Sequence, residues 1–258
     1  MIHPTAVIHP SAVIANHVEI GPWTVIGANV EIGDNTWIGP HVVIHGPAKI
    51  GENNKIYQFA SVAEDPQDKG YVDEQTYLTL GDNNIVREFC TLHRGTPTGR
   101  GTTEIGHDNM FMAYSHVAHD CKIGDHTIFT NNASLAGHVV VGDYAIIGAF
   151  SAVHQFCHIG AHSFIARATM VPKDVLPYVL ISGSGQDAST FGINSRGLSR
   201  RGFSTETVRQ LKQAYKIIFR QGNTVEQALE ELYEMVGSCP EIEPLITGLK
   251  NADRGIIR

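Results

Sequence analysis

A chain of 258 residues with 42% hydrophobic content can bury a core as one large domain, or as a large and a small one. Its formal charge of −7 argues against general nucleic-acid binding, and no apolar run approaches the ~20 residues of a membrane span. The start, MIHPTAVIHPSAV, lacks the basic and apolar segments of a secretory signal, and four cysteines without paired spacing predict a reducing, cytoplasmic setting.

From the N-terminus the chain repeats with a period of six. Aliphatic residues fall at Ile2, Ile8, Ile14, Ile20 and onward to Val62, then at Leu80, Val86 and Leu92. After a shift of one, they run from Ile105 through Val117, Leu135 and Val153 to Val171. Six matches neither the 3.6-residue period of a helix nor the two-residue period of a strand. It matches short strands joined by regular turns, with glycine and asparagine expected to supply the positive φ of the turns. Three hexads close one triangular coil, so residues 18 apart stack on one flat face. Four places after each aliphatic residue comes a small or branched one, also directed inward. Cys90, Cys121 and Cys157 occupy that position and are core filler.

Two polar, turn-rich stretches break the period, at 63–77 and 98–104, and are expected to project as loops. The repeat domain is assigned to 1–189 and a helical domain to 190–258. In the latter, Ser204 reads as an N-cap before Val208, Leu211, Tyr215, Ile218 and Phe219, with Gly222 as a stop. Thr224 and Gln227 form a capping box for a second helix ending at Gly237, and a short third helix is predicted around 241–251.

The period places the histidines of SHVAHDC. His119, His138 and His154 fall in hexads 18 apart, at one edge of successive coils, with His116 beside them. Spacing alone leaves two chemistries open: a zinc site, which needs convergent nitrogens, and a general base aided by the adjacent Asp120.

HVAHDC, NNASLAGHV, VHQFC, FGIN followed by GLSRRGF, and the closing RGIIR together resemble the UDP-N-acetylglucosamine O-acyltransferases, a hexapeptide-repeat family, over nearly the whole chain. The resemblance implies a left-handed parallel β-helix with a C-terminal α-helical bundle, assembled as a homotrimer with active sites between neighbours. It implies transfer of an (R)-3-hydroxyacyl chain from acyl carrier protein to the 3-hydroxyl of UDP-GlcNAc, the first step of lipid A biosynthesis, with no metal or other cofactor. Some relatives use the 3-amino analogue of the sugar and form an amide. By resemblance, His119 is the general base, Asp120 its partner, and the Gly137 N–H the oxyanion donor. His116, His138, His154 and Gln155 contact the substrates, as do Gln67 and Asp68 from the first loop. Asn194, Arg200 and Arg201 face the nucleotide.

Three departures stand out. The lysine of the family's QDLKY stretch lies one place earlier, at Lys69, and Arg196 replaces a carboxylate expected near the uracil. Arg167 stands where relatives often have glycine, so Arg167 and Met170 are candidates for limiting acyl length. Finally, Arg209, Lys212, Lys216 and Arg220 concentrate positive charge on the first long tail helix of an acidic protein, a surface suited to an acidic carrier protein.

Overall fold

The computed structural model describes residues 1–183 and 187–258. Short strands of two to five residues wind into a three-sided solenoid whose faces are sheets of nine, eight and ten strands among the described residues, parallel throughout except for the last strand of the third. Face one runs from Val7–Ile8 to Met170–Val171, face two from Val13–Ile14 to His158–Ile159, and face three from Glu19–Ile20 to the tail. The winding is that of a left-handed parallel β-helix. Register keeps aliphatic residue on aliphatic residue: Ile26 pairs with Ile44, Ile44 with Val62, and Val117 with Leu135. These side chains are almost wholly buried, and each contributes about 2 kcal/mol on leaving water. Cys90, Cys121 and Cys157 fill the same core.

The corners correct one expectation. The asparagines do adopt positive φ, at Asn29, Asn35, Asn53, Asn83 and Asn132, but so do histidine, aspartate and bulky aromatic residues at equivalent corners. The glycines after the aliphatic positions do something else. A Cβ on Gly21 or Gly33 would lie 2.7 Å from backbone atoms of the next coil, so glycine is selected there for close coil approach.

Both insertions leave from the corner between faces one and two. They span 65–76 and 94–101, because Thr102–Ile105 is a strand of face two rather than part of the loop. The aliphatic ladder continues past them, with Val62 on Leu92 and Leu92 on Val117, and a bulge at Ala63 shifts the register by one residue where the first loop departs.

In the tail, strand Ser189–Ile193 pairs antiparallel with Val179–Ser182 at the end of face three. Four α-helices follow: α1 (Ser195–Arg200), α2 (Thr205–Phe219), α3 (Val225–Val236) and α4 (Glu243–Lys250). Ser204 caps α2, and Thr224 with Gln227 forms the predicted capping box of α3. The pattern reading contained neither the antiparallel strand nor α1. The C-terminus returns to the last coil, where Ile256 bridges Asp174 and Ile257 is buried. Among the described residues, no helix is long and apolar enough to cross a membrane.

Candidate active site

The corner between faces one and two brings His119, Asp120, Gly137 and His138 together on consecutive coils. Asp120 and His138 occupy left-handed corner positions, with φ of 61° and 64°. The two imidazoles meet edge to face at 5.0 Å, and Phe156 stacks on His138 from the next coil at 4.4 Å.

Asp120 is completely buried, and the second loop supplies its partners. Its Oδ2 accepts from Thr96 Oγ1 at 2.6 Å and from the Thr96 N–H at 3.0 Å, while Oδ1 accepts from the Arg100 N–H at 2.8 Å. Burial by itself would raise this carboxyl, but these donors and His119 outweigh it and hold the group at about 2. An ionised carboxylate only accepts. The His119 Nδ1, 2.9 Å from Oδ2, is therefore the protonated nitrogen, and Nε2 keeps its lone pair. A Cβ on Gly99 would lie 2.4 Å from the Asp120 carboxyl carbon, so glycine lets the loop close on it.

Gly137 lies flat against the base. A Cβ there would sit 2.5 Å from His119 Cε1, and its N–H has no acceptor among the described residues. An unpaired N–H beside an imidazole with a free lone pair is a donor–acceptor couple suited to acyl transfer.

His116 projects from face one, bonded to Thr91 Oγ1 at 2.7 Å and edge-on to His93 at 5.1 Å. His93 was not singled out by the sequence: it follows the aliphatic Leu92 directly before the second loop, and only the coil geometry reveals its neighbours. Burial, reinforced by His116 and His119, lowers His93 to about 4. Burial likewise lowers His116 and His138, so these imidazoles stay neutral near pH 7.

The first loop lies over the same corner. The buried Arg94 ties it down by pairing with Asp65 and bonding to the Tyr71 hydroxyl and the Gly46 carbonyl. Gln67, Asp68 and Lys69 are exposed, and the charges of Asp68 and Arg100 both act on His138. One coil beyond His138, His154 and Gln155 are exposed, and Arg254 from the C-terminus donates to the Gln155 carbonyl at 3.0 Å.

Asn194, Arg200 and Arg201 are not part of this cluster. They belong to the corner between faces two and three. Asn194 caps α1 through Oδ1 and donates from Nδ2 to the His162 carbonyl. Arg201 lies over the Tyr144 ring at 4.8 Å, with Nη1 buried and without a partner among the described residues, and Arg200 is exposed on α1. Arg167 sits exposed at the corner between faces three and one. Met170 lies on face one, in the outward column Thr91, His116, Ser134, Ala152, Met170.

His119, Asp120 and His138 present ligand atoms within 4.8 Å of one another. Asp120 already accepts from three protein groups besides His119, so the cluster offers a metal two imidazoles and a carboxylate already engaged, short of the three protein ligands of an open catalytic zinc site.

On the tail, Arg209 is paired with Glu206, and Arg220 donates to the Thr190 carbonyl and the Tyr215 hydroxyl. Lys212 and Lys216 remain as exposed cations on α2.

Known proteins match this architecture throughout. Residues 1–34, 29–64 and 102–137 match the bacterial transferase hexapeptide model, and 174–257 match domain 2 of UDP-N-acetylglucosamine O-acyltransferase. The acyl-[acyl-carrier-protein]–UDP-N-acetylglucosamine O-acyltransferase of Thiobacillus denitrificans is 56% identical, covering 100% of this chain and 99% of its own. The LpxA structure from Acinetobacter baumannii superposes with a TM-score of 0.97 at 48% identity, over 100% of this chain and 99% of the other. The UDP-N-acetylglucosamine acyltransferase of Francisella novicida gives 0.97 at 44% identity, over 100% and 94%. Identity of this degree along the full length, on top of the shared coil and tail, means that the chain is an acyltransferase of the UDP-N-acetylglucosamine O-acyltransferase family.

Proposed function

We propose that this chain transfers an (R)-3-hydroxyacyl group from acyl carrier protein to the 3-hydroxyl of UDP-GlcNAc, opening lipid A biosynthesis in the cytoplasm. The observation that carries the reading is the couple of His119, its Nε2 free because Nδ1 faces Asp120, and the unpaired Gly137 N–H beside it. His119 takes the hydroxyl proton as the sugar oxygen attacks the thioester carbonyl. Asp120 stabilises the imidazolium, and the Gly137 N–H donates to the tetrahedral oxyanion. Collapse expels the carrier thiolate, which His119 protonates. No metal or other cofactor takes part.

We take the active form to be a homotrimer. Asn194, Arg200 and Arg201 lie on a different corner from His119, which supports a nucleotide held by one subunit and acylated at the His119 of its neighbour. The donor's acyl chain takes the face-one column, where the small Ser134 and Ala152 lead away from His116 and Met170 ends the run. Three coil steps of about 4.8 Å give about 14 Å. At roughly 1.25 Å advance per carbon of a zigzag chain, that is room for about eleven carbons. Met170 thus sets the length, and Arg167 does not. Lys212 and Lys216 on α2 attract the carrier protein.

The test is a mass-resolved transfer assay with hydroxyacyl carrier proteins of several lengths, offering UDP-GlcNAc or its 3-amino analogue. Wild type forms the O-acyl product, and His119→Ala is slower by about 10²–10⁴-fold while remaining folded. Undiminished turnover by that variant removes His119 from the mechanism, and a product with the 3-amino sugar alone reassigns the acceptor.

A further inference from the structure

Oδ2 of Asp120 lies between two imidazoles. His119 Nδ1 is 2.9 Å away and hydrogen-bonded, while His138 Nε2 stands at 3.9 Å without a hydrogen bond to it. The two rings meet edge to face on one corner, and either would gain a partner from a carboxylate turned towards it. What keeps Asp120 on one of them is in the second loop.

Thr96 is 2% exposed, and its hydroxyl donates to Oδ2 at 2.6 Å, the shortest of the bonds to that oxygen. Its N–H adds a bond at 3.0 Å. With His119, Oδ2 has three donors around an atom with two lone pairs, which leaves no place for a fourth from His138. Oδ1 is fixed by the Arg100 N–H at 2.8 Å. The hydroxyl is not needed to build the loop. The Thr96 carbonyl accepts from the Gly99 and Gly101 N–H groups at 3.1 and 3.0 Å, so main-chain bonds already set the loop's path. Nor is it needed to pair Asp120, whose oxygens keep the Thr96 and Arg100 N–H groups without it. Its effect is on where the carboxylate points.

We propose that Thr96 is a positioning residue whose hydroxyl holds the Asp120 carboxylate on His119 and off His138, so that one of two adjacent imidazoles is oriented as the base. The proposal rests on the acyl-transfer reading above and extends it to a residue that acts through Asp120. Without the hydroxyl, the carboxylate is shared between the rings, and His119 loses its fixed tautomer and orientation.

Two substitutions separate this role from packing. Thr96→Val keeps the shape and removes the hydroxyl, whereas Thr96→Ser keeps the hydroxyl and removes a methyl group. Thr96→Val is expected to lower kcat about tenfold or more, with KM for the acyl donor and for UDP-GlcNAc within about twofold of wild type. Thr96→Ser should stay within about threefold of wild type. The loss should also run through the carboxylate: added to Asp120→Asn, Thr96→Val should cost less than about threefold more, because the group it positions is already gone. Wild-type kcat in Thr96→Val overturns the proposal. So does a serine variant as slow as the valine one, a change confined to KM, or a full-sized valine effect on top of Asp120→Asn. Should Thr96→Val fail to fold, Thr96→Ala takes its place under the same criteria. Failure of wild type to acylate UDP-GlcNAc with any donor strikes the acyl-transfer reading itself, so the two failures are separable.

Discussion

Two corners of the solenoid use one backbone conformation for different ends. Between faces three and one, the left-handed positions hold Trp23, His41, Phe59, Phe89 and Tyr114, whose rings stack in a ladder with centroids 4.9–5.3 Å apart. Between faces one and two, the equivalent positions hold Asp120 and His138. A non-glycine residue held at positive φ costs about 1 kcal/mol or more, and each corner offsets it differently. The ladder does so by stacking, and the catalytic corner by the hydrogen bonds converging on Asp120. The solenoid therefore supplies a row of outward side chains at fixed spacing, and chemistry arises where polar residues replace the rings.

Gly137 sharpens this contrast most. At the equivalent turn position of the ladder corner the chain has Ala113 and Ala149, so the backbone accepts a methyl group there. Gly137 is glycine because His119 occupies the space of its Cβ. Gly137→Ala should displace the imidazole and lower kcat by about 100-fold, with little change in melting temperature. Wild-type kcat in that variant would show that the base has room to spare and break the contrast.

The next effect is on stability. His93 is buried and held at about 4, whereas the unfolded chain protonates it near the ordinary 6.5. A depressed histidine contributes stability above 6.5 that falls away between 6.5 and about 4. Asp120, at about 2 when folded, extends the loss below pH 4. Comparing urea unfolding at pH 7 and pH 5, at one protein concentration, should show His93→Gln losing about 2 kcal/mol less than wild type. Equal losses would mean that His93 takes up its proton as readily in the fold as in the unfolded chain.

Met170→Gly comes third. Opening the end of the face-one column should shift acyl preference by several carbons, by about tenfold in relative kcat/KM, since each buried methylene is worth about 0.8 kcal/mol. Arg167→Gly, at another corner, should leave the profile as it is. A shift produced by Arg167 instead would move the acyl path off face one.

The comparison also explains what could be read without coordinates. The period of six marks which residues face the core, and it located the histidine corner because stacking by 18 is arithmetic. Caps at Ser204 and Thr224 were legible because their bonds are local. Contacts made by breaking the period were not legible. Thr96 and Arg100 reach Asp120 from a loop whose path no periodicity describes, and His93 joins the cluster because that loop begins beside it. Arg209 and Arg220 read as free charge, yet one is paired on its own helix and the other is bound to Thr190 and Tyr215. The role of the corner glycines was misread because close coil approach leaves no mark on sequence beyond glycine itself.

The smallest effect is expected on the ladder. Phe59 is 49% exposed and stacked between His41 and Phe89, at 5.3 and 5.0 Å. Aromatic pairs contribute about 0.5–1.5 kcal/mol beyond burial, and half-exposed rings fall at the low end of that range. Phe59→Ala also relieves little strain, because alanine at positive φ keeps the cost of the corner while losing the stack. The net loss should be about 1 kcal/mol, read as a drop of a few degrees in melting temperature. Turnover should stay within twofold of wild type, since the ladder runs along a different corner from His119. A large loss of turnover with an unchanged melting temperature would mean that the ladder corner meets a neighbouring subunit's catalytic corner, and the division of labour between the two would then hold within one chain but not across the assembly.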